Sequence, residues 1–220
     1  MGENTDTSLL REIDEELRQE HYSKLWARYG KLIIGAAIIL IASVAGYKGW
    51  QSYDISHRSS LAEQFSLAVT AELNGDLAQA NQAYNALIAD ASGGYETLAR
   101  FRAASTLSKQ GDRDGAAAAY TALANESGVE HQYRDLATLL GAMNELDTAD
   151  PETVITRLAP LTGDDSPWRF SARELSALAA MRAGDNEQAR EFLTQLVSDV
   201  MAPAGTRSRA QEILATIGTS

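Results

Sequence analysis

Two places in the 220-residue chain bring together side chains of the kind that catalysis uses. Asp164 and Asp165 are adjacent carboxyls that could serve as general acid and base, and Glu130 precedes His131, which could act as a general base. However, the surrounding sequence TGDDSP is typical of a solvated loop, and Glu130 and His131 stand where a helix would begin. We therefore predict no catalytic residues and no enzymatic activity, with a hydrolase of unrecognised site as one alternative.

The residue types that bind metals and cofactors are scarce. The chain has no cysteine, which excludes a thiolate nucleophile, a cysteine-ligated zinc, an iron–sulfur cluster and a disulfide framework. The three histidines, His21, His57 and His131, lie far apart in the sequence, and no glycine-rich phosphate loop occurs. Asn125-Glu126-Ser127 matches a glycosylation sequon, a match that is frequent by chance. We expect no cofactor and no metal.

The charge of the chain argues against nucleic acid as a partner. The formal net charge is -11, and residues 58–220 contain 13 Lys and Arg against 22 Asp and Glu, a net of −9. Because the average field of such a surface repels phosphate and no basic stripe offsets it, nucleic-acid binding is not expected.

An apolar segment near the N-terminus is long enough to cross a membrane. Leu32–Tyr47 is uncharged, Lys31 and Lys48 bracket it, and aromatic residues flank both ends. The flanking aromatic residues are Trp26, Tyr29, Tyr47, Trp50 and Tyr53. A cleaved signal peptide would have a short basic leader, whereas this leader is about 30 residues long and acidic. We favour a transmembrane helix at residues 31–50 over a signal peptide or a buried core helix.

The distribution of basic residues predicts the orientation of this helix. Five basic residues precede it closely and two follow it, so the N-terminus should face the cytoplasm. The C-terminal part, residues 51–220, then lies across the membrane, which in a bacterium is the periplasm. Gly35, Ala42, Gly46 and Gly49 place small residues along one side, where another membrane helix could approach. Glycine and alanine are, however, common in membrane spans generally.

The first 30 residues form a short acidic head. Leu10, Ile13 and Leu17 follow helical spacing, and Ser8 could cap the helix. Such a narrow apolar stripe could dock on a partner or lie at the membrane surface. It could equally belong to a solvated helix that leads into the span.

The rest of the chain carries an internal repeat. Asp76, Asp112, Asp150 and Asp185 are separated by 36, 38 and 35 residues, and similar residues recur 8 positions before and 4, 8 and 11 positions after each. The recurring residues are Ala68, Ala104, Ala142 and Ala177; Ala80, Ala116, Val154 and Ala189; Tyr84, Tyr120, Leu158 and Leu193; Leu87, Leu123, Leu161 and Leu196. Each aspartate would begin the second helix of an antiparallel pair, after a turn that contains glycine in three of the four units.

This pattern predicts an all-α fold. We expect one N-terminal transmembrane helix followed by an α-solenoid of about four helix pairs, closed by a last helix from about Thr206 to Ile217. The spacing and the A-x-x-x-Y pattern of Ala80/Tyr84 and Ala116/Tyr120 resemble tetratricopeptide repeats, whose period is 34 residues.

Several features of the chain occur together: the acidic head, the single span, GWQSY after it, and the stretches YETLARFRAASTLSKQGDRDGAAAAY and WRFSARELSALAAMRAGDNEQAR. In this layout the chain resembles a bacterial family, the YfgM-like ancillary subunits of the SecYEG translocon. It implies a periplasmic repeat domain held at the inner membrane beside the export channel. It also implies an association with a membrane-anchored periplasmic chaperone. A self-assembling scaffold for cell division or cell-wall synthesis is the alternative function.

A stacked solenoid should have a groove lined by the first helices of its pairs, where a peptide or a partner helix could bind. The groove candidates by repeat position are Phe65, Val69, Phe101, Ser105, Leu139, Met143, Leu178 and Met181. For any one of these residues, packing in the core between helices is the competing interpretation.

Overall fold

A computed structural model describes the backbone of residues 3–217 and the side chains of residues 23, 24 and 26–217. Nine α-helices and no strand occur over these residues, which confirms the all-α prediction. The helices are α1 (Glu3–Leu73), α2 (Leu77–Asp90), α3 (Gly94–Lys109), α4 (Arg113–Ala124), α5 (His131–Glu145), α6 (Pro151–Leu158), α7 (Arg169–Ala183), α8 (Asn186–Ser198) and α9 (Ala204–Ile217). A short 3₁₀ helix, Ala159–Leu161, extends α6.

The first helix is longer than any predicted element. The predicted head, the predicted span and the first helix of the first repeat all lie within α1, which has no break over its 71 residues. No proline occurs before Pro151, so nothing in this stretch removes a backbone donor from the helix. By its contacts the chain divides into two units, between Ser59 and Ser60. The side chains of Ser8, Leu10, Ile13 and Leu17, predicted to act in the head, lie outside the described residues.

The N-terminal unit contains a candidate membrane span. A single stretch of the described residues, Trp26–Leu73, contains a segment that is long and apolar enough to cross a bilayer. Its large apolar side chains, Leu32 and Ile38 among them, are exposed. A Cβ added at Gly35, Gly46 or Gly49 would meet no other atom within 4 Å, so these positions are open on the helix surface. The contact predicted there with another helix stays a prediction.

The four aspartates that define the repeat each precede a second helix, as predicted. Asp112 accepts a hydrogen bond from the Gly115 N–H at 2.9 Å, and Asp150 and Asp185 accept from the third residue of their helices in the same way. Asp76 occupies the same position but accepts no such bond. The aspartates are therefore helix caps, and three of the four satisfy a free N–H of the first turn.

The turn before three of these aspartates depends on glycine. Gly75, Gly111 and Gly184 have φ values of 84°, 92° and 80°, a conformation that costs other residues free energy. The aspartate N–H that follows each glycine donates to a carbonyl five residues earlier, for example from Asp185 to Ala180 at 2.9 Å. This is the Schellman arrangement, which ends a helix and reverses the chain. The third unit has Ala149 instead of glycine and begins its second helix with Pro151.

The residues that recur in the repeat form the core. All sixteen of the alanine, valine, tyrosine and leucine positions identified from the spacing are at most 4% exposed. The alanines lie where helices pack closely, and the larger residues fill the space between them. The helices form four consecutive pairs, and α9 packs on α8 at the end, as predicted for the closing helix.

Candidate functional site

The first helices of the pairs share an exposed face. In each repeat we consider the residues that precede the capping aspartate by 17, 14, 10, 7 and 3 positions. They are spaced three or four residues apart and therefore lie on one side of an α-helix. We call this stripe on the C-terminal part of α1 and on α3, α5 and α7 the first-helix face. Its partly exposed leucines, Leu136, Leu140, Leu175 and Leu178, lie beside residues that are more exposed.

Within residues 60–198, this face carries four of the five exposed large apolar side chains of the helices. Leu73 is 82% exposed, Leu98 and Tyr133 are each 43% exposed, and Met143 is 50% exposed. The second helices α2, α4, α6 and α8, all of whose side chains are described, expose no large apolar residue. Because scattered apolar exposure would fall on both sides, the asymmetry makes the first-helix face a candidate contact surface.

Three further large apolar residues of the solenoid are exposed elsewhere. Leu67 lies on α1 at a position that holds Ala103, Gly141 and Ser176 in the later repeats, where the preceding pair covers it. Val200 and Met201 lie in the connection between α8 and α9. Leu67 thus lies in the first pair of the stack, which no other helix pair precedes among the described residues.

Polar contacts hold neighbouring first helices side by side. Lys109 of α3 donates to Glu72 of α1 at 2.6 Å, and Ser108 of α3 donates to Asn144 of α5 at 2.6 Å. Arg182 of α7 donates to the carbonyl oxygens of Leu146 and Ala149 that follow α5. These links bring the exposed stripes of consecutive repeats next to one another, so they form one surface.

Six of the eight predicted groove residues divide into two groups. Val69, Ser105, Met143 and Leu178 lie on the first-helix face, and Met143 is the most exposed of them. Leu139 is buried, and Met181 packs against the same core cluster. Partner binding by any of the eight stays a prediction.

The two phenylalanines among the groove candidates lie against buried tyrosines. Phe65 packs on Tyr84 with ring centroids 5.7 Å apart, and Phe101 packs on Tyr120 at 6.0 Å. Phe101 also contacts the ring of Tyr133 on the next first helix, at 6.4 Å. The two phenylalanine rings are half-buried and lie between the core and the face.

Sequence reasoning missed several residues of the face. Leu98, Arg102, Lys109 and Tyr133 lie on the stripe but were not among the candidates. Stepping back by three and then four residues from Met143 reaches Leu140 and Leu136, so the helical period itself was the available signal.

A buried carboxylate organises the first two repeats. The Glu72 carboxylate is 8% exposed and accepts hydrogen bonds from the Tyr84 hydroxyl at 2.7 Å and from Lys109. Arg102 lies 3.6 Å from the same carboxylate. Burial alone would raise the pKa of Glu72, but these donors and cations outweigh it and hold the pKa below its ordinary value. Burial, and then the bond to Glu72, raises the pKa of Tyr84.

The residues with catalytic potential in the sequence form no acid–base pair. Asp164 binds Arg173 at 2.6 Å, and His131 lies exposed, 3.0 Å from Asp135. Glu130 is the residue before α5, as predicted for a helix start. Among the described residues, no group of three or more His, Cys, Asp or Glu side chains could hold a metal ion.

An open cleft of about 820 Å³ lies between the loop before α7 and the end of α8. Its charged side chains already neutralise one another, since Asp199 lies 3.2 Å from Arg169 and 3.7 Å from Arg173, and Arg173 also donates to the Thr162 carbonyl. The Met201 N–H and then Arg169 lower the pKa of Asp199. This network ties the loop to the helices.

Comparisons with known proteins agree with this architecture. The family model of the tetratricopeptide repeat-like domain matches residues 23–192. A crystal structure of nearly identical TPR-like repeats, assigned to a kinesin light chain of Podospora anserina, superposes with a TM-score of 0.54. It covers 74% of this chain and 95% of that one at 17% identity, which is a likeness of fold. No curated protein matches the chain.

Stacked helix pairs of this type are typically scaffolds for protein–protein interaction and not catalytic domains. The family match extends over more than half of the chain, and the helix pairs follow one another as such repeats require. The chain therefore belongs to the tetratricopeptide repeat-like domain family, as an α-solenoid with one candidate membrane span in its N-terminal helix.

Proposed function

We propose that the protein is a membrane-anchored, non-catalytic module that binds other proteins through its first-helix face. One observation carries this proposal, namely that the exposed large apolar side chains of the paired helices all lie on the first helices. A partner that removes apolar side chains such as Met143 and Leu98 from water would bind favourably, because burial of apolar surface lowers the free energy.

The anchor is residues 31–50, between a head of residues 1–30 in the cytoplasm and a solenoid domain of residues 51–220 in the periplasm. The support comes from the outward-facing apolar side chains of this part of α1 and from the basic residues that precede it. In this arrangement the protein belongs to the bacterial inner membrane.

The resemblance to ancillary translocon subunits suggests the setting. We place the protein beside the SecYEG export channel, where its solenoid would link the channel to membrane-anchored periplasmic chaperones. The alternative is a self-assembling envelope scaffold in cell division or cell-wall coordination. The two functions differ in what the first-helix face contacts in the cell.

Site-specific photocrosslinking separates these functions. A photoreactive residue at Met143, which is half exposed, should yield adducts with the translocon or with a chaperone in intact membranes. Adducts with a second copy of the chain alone would favour the scaffold.

Membrane anchoring is tested separately. Washing with alkaline carbonate should leave the full chain in the membrane pellet, and protease added to spheroplasts should digest the solenoid. A full chain in the carbonate supernatant would contradict the anchor.

A further inference from the structure

Two of the first helices are positively charged in an acidic protein. Helices α3 and α7 each contain three Lys or Arg against one Asp or Glu, a net of +2, whereas α5 has a net of −1 and the chain as a whole has a net charge of -11. The second helices of the same repeats, α4, α6 and α8, contain three Arg against four Asp or Glu, a net of −1. The positive charge is thus on two of the helices that carry the apolar face, α3 and α7.

The acids of these first helices already have partners. Glu96 lies 2.7 Å from Arg100, Glu174 lies 2.7 Å from Arg209, and Glu145 pairs with Arg157. Asp135 contacts His131 at 3.0 Å. The acids therefore do not neutralise the cations that remain on the face.

Several cations of these helices lack a carboxylate of their own. Arg102 and Lys109 share the single carboxylate of Glu72. Arg182 donates to two backbone carbonyls and, within the part of the chain whose side chains are described, pairs with no acid. Arg134 pairs with none there either, and its Nε is buried without a hydrogen-bond partner. Of these cations, Arg102 and Arg182 are exposed, so an incoming carboxylate could reach them.

We infer that the first-helix face binds a protein segment that combines apolar and acidic side chains. The inference rests on the proposed function and names the chemistry of its partner. The apolar side chains of the segment cover Leu98, Tyr133 and Met143, and its carboxylates pair with Arg102 and Arg182 at the edges of this patch. A basic segment would meet the same apolar side chains but would be repelled by Arg102 and Arg182.

The test uses the full chain in detergent and two labelled synthetic amphipathic helices. Both helices have the same leucine side, and their polar side carries glutamate in one and lysine in the other. Fluorescence anisotropy should show the glutamate helix binding about tenfold more tightly, an advantage that added salt reduces. Arg182→Glu should weaken binding of the glutamate helix by about fivefold or more, since the substitution replaces an attraction with a repulsion.

Arg190→Glu is the matched control, because Arg190 also donates to a backbone carbonyl but lies on the second helix α8. It should leave binding unchanged, and thermal unfolding of both variants checks that they fold. Three results would overturn the inference. The lysine helix could bind as tightly as the glutamate helix or more tightly, neither helix could bind, or the two arginine variants could have equal effects. If both helices bind equally and Met143→Asp weakens both, the proposed surface stands without its preference for acids. If Met143→Asp weakens neither, the surface itself is contradicted.

Discussion

The Glu72 carboxylate and the Lys109 ammonium lie 2.6 Å apart, on the first helices of two consecutive repeats. The Tyr84 hydroxyl donates to the same carboxylate from the second helix of the first repeat. One buried acid therefore ties three helices together, and Lys109 reaches it from a half-exposed position on the first-helix face. This links the stability of the first two repeats to the surface that we propose for binding.

Glu72→Gln should destabilise the solenoid. The amide loses the charge that Lys109 and Arg102 meet and weakens the hydrogen bond from Tyr84, so the free energy of unfolding should fall by about 2 kcal/mol. Urea unfolding monitored by circular dichroism measures this free energy. Glu63→Gln is the control, because Glu63 is exposed on the same helix and should change little. Equal effects of the two variants would contradict the role of Glu72.

The contribution of Glu72 should depend on pH. Its pKa is lowered in the folded protein, so the carboxylate stabilises the fold above its unfolded pKa of about 4.3 and this stabilisation is lost as the pH falls through the folded value. The difference in unfolding free energy between the wild type and Glu72→Gln should therefore be constant near neutral pH and shrink in acid. A difference that grows as the pH falls from 6 would contradict the lowered pKa.

The capping aspartates should differ in their contributions. Asp112→Ala, Asp150→Ala and Asp185→Ala each remove a hydrogen bond to the first turn of a helix and should cost about 1 kcal/mol. Asp76→Ala should cost clearly less, because the Asp76 side chain makes no such bond. Chemical denaturation of the four variants gives the order, and a loss at Asp76 as large as at Asp185 would count against it.

Gly184→Ala should destabilise the fourth repeat. Gly184 has a φ of 80°, where a Cβ costs about 1 kcal/mol, although no neighbouring atom would clash with it. Gly205→Ala is the matched control in the first turn of α9, where the backbone conformation suits alanine and stability should be unchanged or slightly higher. Differential scanning calorimetry compares the two variants, and a neutral Gly184→Ala would be the contrary result.

The helix pairs and their core could be predicted because their signals are local and repeated. Alanine recurs at Ala68 and Ala142 where helices must approach closely, and Asp185 after Gly184 fixes a turn by its own backbone chemistry. Each unit repeats the evidence, which is why even the glycine-free third unit could be aligned through Asp150 and Pro151. The family match and the fold likeness agree with this part of the prediction.

The side-chain arrangement of the face could not be predicted in the same way. Whether Phe101 lines a surface or packs on Tyr120 depends on the angle between neighbouring helices, which the spacing of residues leaves open. The bond between Lys109 and Glu72 joins residues 37 positions apart and differs from the contact made by Arg182, which occupies the equivalent position two repeats later. Such pairings depend on the individual repeat and not on the shared pattern.

The uninterrupted α1 was also not predicted, since the head, the span and the first repeat helix differ in composition. Their boundaries are visible as changes in charge at Lys31 and Lys48, yet none of them contains a residue that ends a helix. Glycines within the segment are tolerated because a helix interior can hold them at modest cost.

Photocrosslinking in intact membranes from both sides of the solenoid tests the central claim most directly. Photoreactive residues at Leu98 and Met143 on the first helices, and at Ala118 and Thr156 on the second helices, all occupy exposed positions. The account predicts partner adducts from the first pair at several times the yield of the second pair. Equal yields from the two sides, or a higher yield from Ala118 and Thr156, would contradict it.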